Sequence, residues 1–210
     1  MNKILLTYIF ASCLFFSCRK KEQIDYNYNP TYFTLDVPSN FPPVEIPENN
    51  PLTEEGILLG RHLFWDTKLS GDNSVACASC PLPQFAFSDS NPFSSGVNGH
   101  LGKRNSMVLQ NLAWTKEFLW DGSVLSLEEQ ILLPVLDTTE MSGTWKDFFK
   151  KIENDEIYNR LFYNAFQTFN PDSIHAAKAI AQFVRTMVSS NSKYDKVLRN
   201  EAIFTPEESA

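Results

Sequence analysis

The sequence predicts one mostly α-helical domain with long irregular loops. Beyond Pro51, apolar residues recur at the three- and four-residue spacing that brings side chains onto one face of a helix. Between residues 66 and 107 this periodicity is lost, and Ser, Asn, Gly, Asp and Pro become frequent. The alternating pattern of a half-buried strand does not occur. An irregular segment of about 40 residues is usually functional in a compact domain, so we expect it to contribute to a site.

Capping residues predict where the helices begin. Thr53 precedes Glu54 and Glu55, whose charges suit the positive end of a helix dipole. Ser126 and Glu129 have the spacing of a capping box and predict another helix. Later helices are predicted after Thr144, after Asp155 and from Asn170-Pro171, which opens the longest helix, with apolar positions at Ile174, Ala177, Ala181, Val184 and Val188.

Residues 1–17 are typical of a secretory signal peptide rather than of a folded domain. A short basic head precedes an apolar stretch at 4–16, which is shorter than the roughly 20 residues that span a bilayer. Ser17 before Cys18 resembles the cleavage site of a bacterial lipoprotein, in which Cys18 would carry the lipid. Ordinary cleavage that leaves Cys18 free is the alternative. Both predict export, and lipidation predicts a membrane-anchored protein in the periplasm.

Residues 18–50 are predicted to form a tether, because they are rich in Pro, Asn and Tyr and show no helical or strand periodicity. We expect this segment to hold the domain away from a membrane, and part of the segment to wrap around the domain. The formal net charge is −7 and no basic stripe is present, so nucleic acid is not an expected partner. A negative net charge is compatible with a basic redox partner, and it also commonly serves to keep a protein soluble.

Cys77-Ala78-Ser79-Cys80 is the motif with the most specific chemistry. A Cys-x-x-Cys pair followed by His attaches a c-type haem, in which the thiols form thioethers and the imidazole binds iron. Here Pro81 follows, and its side chain has no donor atom. A disulfide is less favoured, because cross-linking so short a loop removes little chain entropy. A thioredoxin-like pair lacks its strand–helix context, and zinc lacks a second Cys or His pair.

Further motifs occur in a fixed order over residues 51–208. Together with the cysteine pair they resemble the bacterial dihaem cytochrome c peroxidases and the maturation enzymes related to them. The motifs are Leu59-Gly60-Arg61-His62-Leu63-Phe64-Trp65-Asp66, Leu69-Ser70, Gly96-Val97-Asn98-Gly99, Gly102-Lys103-Arg104-Asn105-Ser106, Trp120-Asp121-Gly122, Leu127-Glu128-Glu129-Gln130 and Glu140-Met141. The resemblance implies a cytochrome c-like haem domain over residues 51–204, with long loops that wrap the cofactor.

The resemblance also implies reduction of hydrogen peroxide to water in the periplasm. In that family an N-terminal haem meets peroxide, and a C-terminal haem collects electrons from a small cytochrome or a cupredoxin. Cys77 and Cys80 would hold haem c covalently, and Trp120 would conduct electrons between the haems. Gln130 and Glu140 match the pair that faces peroxide: the glutamate would move a proton between the peroxide oxygens, and the glutamine would orient the ligand.

The chain departs from the family pattern at several positions. Pro81 replaces the proximal haem ligand, and Val97 replaces the distal histidine that many members carry, with His100 nearby. Ser123 stands where an arginine often follows Trp-Asp-Gly and could help hold a haem propionate. Residues 205–210 resemble the start of the C-terminal haem domain, whose own Cys-x-x-Cys-His is not in this chain.

These departures leave several functions open. The family-level expectation is a periplasmic peroxidase lipoprotein with one haem site, truncated and with its activity in question. One alternative is a non-catalytic haem-binding or electron-transfer lipoprotein. The other is a haem-free remnant, in which Cys77 and Cys80 remain thiols or form a strained disulfide. Expected partners are hydrogen peroxide, a small cytochrome or cupredoxin, the membrane through the lipid and, as in many family members, a second copy of the chain.

Overall fold

Helices dominate the part of the chain that a computed structural model describes, namely residue 26 and residues 28–80, 83–89 and 91–209. The helices are α1 Glu54–Trp65, α2 Leu127–Leu136, α3 Trp145–Ile152, α4 Glu156–Phe166, α5 Ser173–Arg185 and α6 Lys193–Leu198. Single 3-10 turns in the long connection between α1 and α2 are Thr67–Leu69, Cys77–Ser79, Pro83–Phe85, Val97–Gly99 and Leu112–Trp114. Within the described ranges β structure is limited to isolated bridges. The predicted signal peptide, Cys18 and Pro81 lie outside the described residues.

Side-chain caps fix the starts of the helices at the residues that the sequence predicts. The Thr53 hydroxyl accepts the backbone N–H of Gly56 at 3.1 Å and caps α1. The Ser126 hydroxyl accepts the N–H of Glu129 at 3.2 Å and caps α2, which is one half of the predicted capping box. The same type of cap occurs at α3 and α4, where it is formed by Thr144 and Asp155.

The helix predicted from Asn170-Pro171 differs from the prediction at both ends. It begins at Ser173, because the carboxylate of Asp172 caps the first turn. It ends at Arg185, where the hydroxyl of the following threonine donates to a carbonyl of the last turn. Val188 therefore lies outside this helix. With 13 residues α5 is still the longest of the described helices.

A close crossing of α1 and α5 forms the centre of the fold, with α4 packed on α1 and α2 packed on α5. Glycines of α1 permit the approach. A β-carbon on Gly56 would lie 2.1 Å from Oε1 of Gln182, and one on Gly60 would lie 1.9 Å from the backbone oxygen of Ala179. Side chains that are at most 2 % exposed surround this crossing: Leu59, Leu63, Leu127, Val135, Phe148, Phe162 and Ile180.

The described part of the predicted tether packs along the domain as extended chain. The indole Nε1 of Trp114 donates to the carbonyl of Pro42 at 2.8 Å. The same indole packs edge-to-face on Phe41, with ring centres 5.0 Å apart. Residues 28–50 are therefore attached to the helical domain at this point. No helix among the described residues combines the length and apolar character needed to cross a bilayer.

A buried polar cluster joins this segment to α2 and α5. The guanidinium of Arg185, 6 % exposed, donates to both carboxylate oxygens of Glu128 at 2.6 and 2.9 Å. Asn50 donates to the same carboxylate at 2.6 Å and accepts from Gln182 at 2.9 Å. Burial alone would raise the pKa of Glu128, but the hydrogen bonds from Arg185 and Asn50 outweigh it and lower the pKa.

Candidate active site

The Cys77-Ala78-Ser79-Cys80 segment forms a single turn beside a cavity. The backbone N–H of Ala76 donates to the Ser79 hydroxyl at 2.9 Å, and the N–H of Ser79 donates to the Ala76 carbonyl at 3.0 Å. Ala78 is 4 % exposed and belongs to the hydrophobic core. Because Ala78 anchors the turn and Ser79 closes it, both cysteines lie along the cavity wall.

No disulfide joins Cys77 and Cys80. Burial raises the pKa of Cys77 to about 12, and the neighbouring Cys80 and Glu140 add to the effect. Burial also raises the pKa of Cys80, again with a contribution from Glu140. A reactive dithiol of the thioredoxin type needs a lowered thiol pKa. The environment of this pair therefore argues against that alternative and places both sulfurs near the Glu140 carboxylate.

The cavity has a volume of about 550 Å³, within the range of sites that hold cofactors and small ligands. Its walls come from α1, α2 and α5 and from the long connection between α1 and α2. The apolar lining residues include Phe64, Val75, Met107, Leu109, Leu112, Phe118, Ile131, Pro134, Met141, Ile180 and Val184. The irregular segment predicted to be functional thus forms a large part of the cavity.

The helix α2 contributes Gln130 and Pro134 to the cavity wall. Pro134 lies inside the helix. Because proline has no N–H, it cannot donate to the backbone carbonyl of Gln130 four residues earlier. The backbone carbonyl of Gln130 therefore lacks its usual helical donor, in the helix that brings Gln130 to the cavity.

Glu140 lies in the turn after α2 and lines the same cavity. Its N–H donates to the carbonyl of Asp137 at 3.2 Å, and its own carbonyl accepts from Val97 at 2.8 Å. A β-carbon on Gly96 would lie 2.1 Å from the Thr139 carbonyl oxygen, so only glycine lets the two loops meet this closely. Partial burial at the cavity raises the pKa of the Glu140 carboxyl, and the charge of Asp137 raises it further.

Trp120 forms an exposed part of the cavity rim. Its side chain is 62 % exposed, and its indole Nε1 donates to the carbonyl of Asn105 at 2.8 Å. Two cations, Lys103 and Arg104, also line the cavity. Arg104 pairs with Asp121 at 3.3 Å. The rim therefore combines an aromatic ring with positive charge that can pair with carboxylates.

The structure brings the sequence-predicted residues Cys77, Cys80, Trp120, Gln130 and Glu140 onto one cavity. Their chemical roles remain predictions. Val97, expected at the distal ligand position, is 3 % exposed, while its neighbour Gly96 lines the cavity.

The histidines have other environments. His62 and His100 are both exposed. The ring of His175 contacts the carboxylate of its capping residue Asp172 at 2.7 Å, a helix-capping role that sequence reasoning missed. None of the described histidines lines the cavity.

Sequence reasoning also missed the cations on the rim and the buried pair of Glu128 and Arg185. Lys103 and Arg104 stood within a recognised motif but carried no assigned role, and the basic pair itself was the available signal. The Glu128–Arg185 pair gave no signal, because its members are 57 residues apart along the chain.

A helical domain whose Cys-x-x-Cys turn borders an apolar cavity has the architecture of a c-type cytochrome domain. The sequence model of the di-haem cytochrome c peroxidase family matches residues 54–203. The chain belongs to this family, and the resemblance inferred from its motifs is confirmed.

Individual relatives agree with this assignment. The cytochrome-c peroxidase IdrP1 of Pseudomonas sp. strain SCT is 38% identical over 152 residues, which cover 72% of this chain and 40% of the relative. The methylamine utilization protein MauG of Methylorubrum extorquens is 36% identical, with 71% and 43% covered. A crystal structure of a MauG-like protein associated with microbial copper homeostasis superposes with a TM-score of 0.76 at 33% identity, covering 83% of this chain and 52% of that one. The chain spans less than half the length of these two curated relatives.

Proposed function

We propose that the cavity binds one haem c and that the domain takes part in the reduction of hydrogen peroxide. The observation that carries this proposal is the convergence of both cysteines, Trp120, Gln130 and Glu140 on a single apolar cavity. The residues of the cavity fit haem c, because the two thiols can form thioether bonds and the apolar walls can hold the macrocycle. The cations Lys103 and Arg104 on the rim suit its carboxylates.

The residues around the cavity divide the proton chemistry between them. When bound, haem supplies an iron centre that receives peroxide and passes electrons to it. Glu140 accepts a proton from one peroxide oxygen and returns it to the other, which leaves as water. Its raised pKa suits this exchange, because a carboxyl that titrates closer to neutral pH can both take and give a proton. Gln130 orients the peroxide by hydrogen bonding. Each peroxide consumes two electrons and two protons and yields two waters.

Electrons are proposed to enter through the exposed rim. Trp120 lines the cavity and presents most of its side chain to solvent, so it can pass electrons between a docked donor and the cofactor. A small cytochrome or cupredoxin is the proposed donor. A location in the periplasm, attachment to the membrane through a lipid on Cys18, and pairing of two copies are further proposals, which rest on the sequence.

A non-catalytic haem-binding or electron-transfer protein is the second candidate function. The sequence observation that favours it is Pro81, which supplies no imidazole to support O–O cleavage. A haem-free remnant is the third outcome. In that case the cavity would remain without a cofactor, and its high-pKa thiols would be unreactive.

The test is to produce the chain in a host competent for cytochrome c maturation and to measure its mass and absorption after denaturation. We expect a mass increase of one haem and a retained Soret band, both lost in a Cys77→Ala, Cys80→Ala double variant. Peroxide-dependent oxidation of a reduced cytochrome then separates the peroxidase from the electron-transfer protein. A haem-free chain would contradict both functions and favour the remnant.

A further inference from the structure

The cavity wall contains sulfur donors other than the cysteines. Met107 and Met141 both line it. None of the described histidines does so, and the residue that follows the cysteine pair is proline. A thioether is a soft, neutral ligand that binds haem iron in many c-type cytochromes. The methionines are therefore the side chains to examine as iron ligands.

The two methionines differ in how they are held. Met141 is 2 % exposed and belongs to the hydrophobic core. Its backbone N–H donates to the carbonyl of Pro134 at 3.2 Å, and its carbonyl accepts from Gly71 at 2.8 Å. Met107 is only half-buried and comes from the irregular connection, outside the helices. Met141 is thus committed to packing, whereas Met107 retains freedom to change rotamer into the cavity.

The polar neighbours of Met107 on the same loop have other partners. The amide of Asn105 donates to the carbonyl of Asn91 at 2.6 Å. The hydroxyl of Ser106 donates to the backbone carbonyl of Met107 at 3.4 Å. Lys103 lies close enough to Asp137 to lower the pKa of that carboxyl, after the hydrogen bonds from Thr139. On this loop the sulfur of Met107 is the soft donor that borders the cavity.

We infer that Met107 supplies a sulfur ligand to the iron of a haem held by Cys77 and Cys80. This inference rests on the proposed binding of haem and replaces the missing imidazole with a thioether from a different part of the chain. Because methionine ligation raises the reduction potential of haem iron, loss of this thioether should lower the potential.

The experiment compares the haem-loaded wild-type chain with Met107→Leu, Met107→His and, as a matched control, Met141→Leu. The readouts are the haem mass, the charge-transfer band of methionine-ligated ferric haem, and the reduction potential. We expect wild type and Met141→Leu to show the band. Met107→Leu should lose it and have a lower potential with the haem still attached. Met107→His should show the spectrum of a nitrogen-ligated haem.

The outcomes separate this inference from the proposed function. If all four proteins carry haem and the band is absent from wild type or persists in Met107→Leu, Met107 is not the ligand and the haem proposal stands. If the wild-type chain carries no haem, both are overturned. Far-ultraviolet circular dichroism of Met107→Leu and Met107→His checks that both variants fold. The gain of nitrogen ligation in the histidine variant is a second readout, which does not depend on the loss of the charge-transfer band in the leucine variant.

Discussion

At the scale of single residues, the proposed proton transfer depends on a carboxyl that the fold makes less acidic. Glu140 is held in its turn by backbone hydrogen bonds to Asp137 and Val97. The same turn places the Asp137 charge close enough to raise the Glu140 pKa, after the effect of partial burial. A residue that exchanges protons with peroxide benefits from this shift, because its two protonation states come closer in energy near neutral pH.

Replacing Glu140 by Gln in the haem-loaded protein should lower peroxide turnover by about 10²–10⁴-fold, because the amide cannot exchange the proton. Haem attachment should be unchanged, since Cys77 and Cys80 remain. Steady-state kinetics with a reduced cytochrome measures the effect, and the exposed Glu129 on α2 offers a control as Glu129→Gln. Equal turnover in wild type and Glu140→Gln would exclude the proton-transfer role.

Replacing Asp137 by Asn should lower the pKa of Glu140, because the variant removes a negative charge that raises it. The pH at which the carboxyl titrates, followed by carbonyl-region infrared difference spectroscopy of the folded chain, should therefore move to lower values. This measurement needs no cofactor. A midpoint that stays in place or moves upward would show that Asp137 does not act on Glu140.

At the scale of elements, a buried ion pair joins α2 to α5. Glu128 lies in the first turn of α2, two residues before Gln130, and Arg185 ends α5. Asn50 connects the same carboxylate to the chain before α1. The position of the cavity wall that carries Gln130 thus depends on this cluster.

Arg185→Met should destabilise the protein by about 3–5 kcal/mol, because it leaves the Glu128 carboxylate buried without its partner. Lys116→Met is the matched control, since its pair with Glu45 is largely exposed and should contribute no more than about 1 kcal/mol. Urea unfolding measures both free energies. Similar values for the two variants would contradict the importance of the buried pair.

The same pair predicts how stability depends on pH. The folded-state pKa of Glu128 lies below its ordinary value of 4.5. Its contribution to the free energy of unfolding is therefore fully present above that pH and is lost as the pH falls through the folded-state pKa. A Glu128→Gln variant should show a shallower acid-induced loss of stability than wild type. Parallel acid curves for the two proteins would contradict this prediction.

The crossing of α1 and α5 predicts a steric effect. Gly60→Ala should destabilise the protein by about 1–3 kcal/mol, because its β-carbon would meet the rigid backbone oxygen of Ala179. Gly102→Ala is the control, since a β-carbon there would have no neighbour nearer than 3.6 Å. Thermal unfolding compares the two. A Gly60→Ala variant as stable as the control would contradict the closeness of this crossing.

At the scale of the whole molecule, an extended segment is bound across the helical domain through Trp114 and its partners Phe41 and Pro42. A chain that begins at residue 44 loses these partners but keeps Asn50. The segment 26–43 also binds Glu55 through Thr31 and Asp195 through Asn40. Compared with a chain that begins at residue 26, the shorter chain should therefore be less stable by more than the about 1–3 kcal/mol expected from one hydrogen bond and one aromatic pair. In a Trp114→Ala background the difference between the two lengths should shrink. An undiminished difference would place the stabilising contacts elsewhere.

The separation of two residues along the chain also decides whether the sequence can predict their contact. Caps at Thr53, Ser126 and Thr144 were predictable, because each side chain binds a backbone group of the next turn. The cysteine pair was predictable through its motif. The contact between Asn50 and Glu128 was not, because it joins residues 78 positions apart and depends on the final packing. Met107 was not predicted either, since a methionine beside a cavity has no distinguishing pattern in the chain.

The proline inside α2 lowers the stability of the helix while it contributes to the wall of the cavity. An alanine at position 134 would restore a donor for the Gln130 carbonyl and remove a helix-breaking residue worth about 3 kcal/mol. The most stable version of α2 is therefore not the one this chain carries. A natural or engineered drift toward thermal tolerance would favour replacement of Pro134, which lines the cavity, and would thereby change the wall beside Gln130. Selection for stability alone would thus be expected to erode the site before it altered the fold.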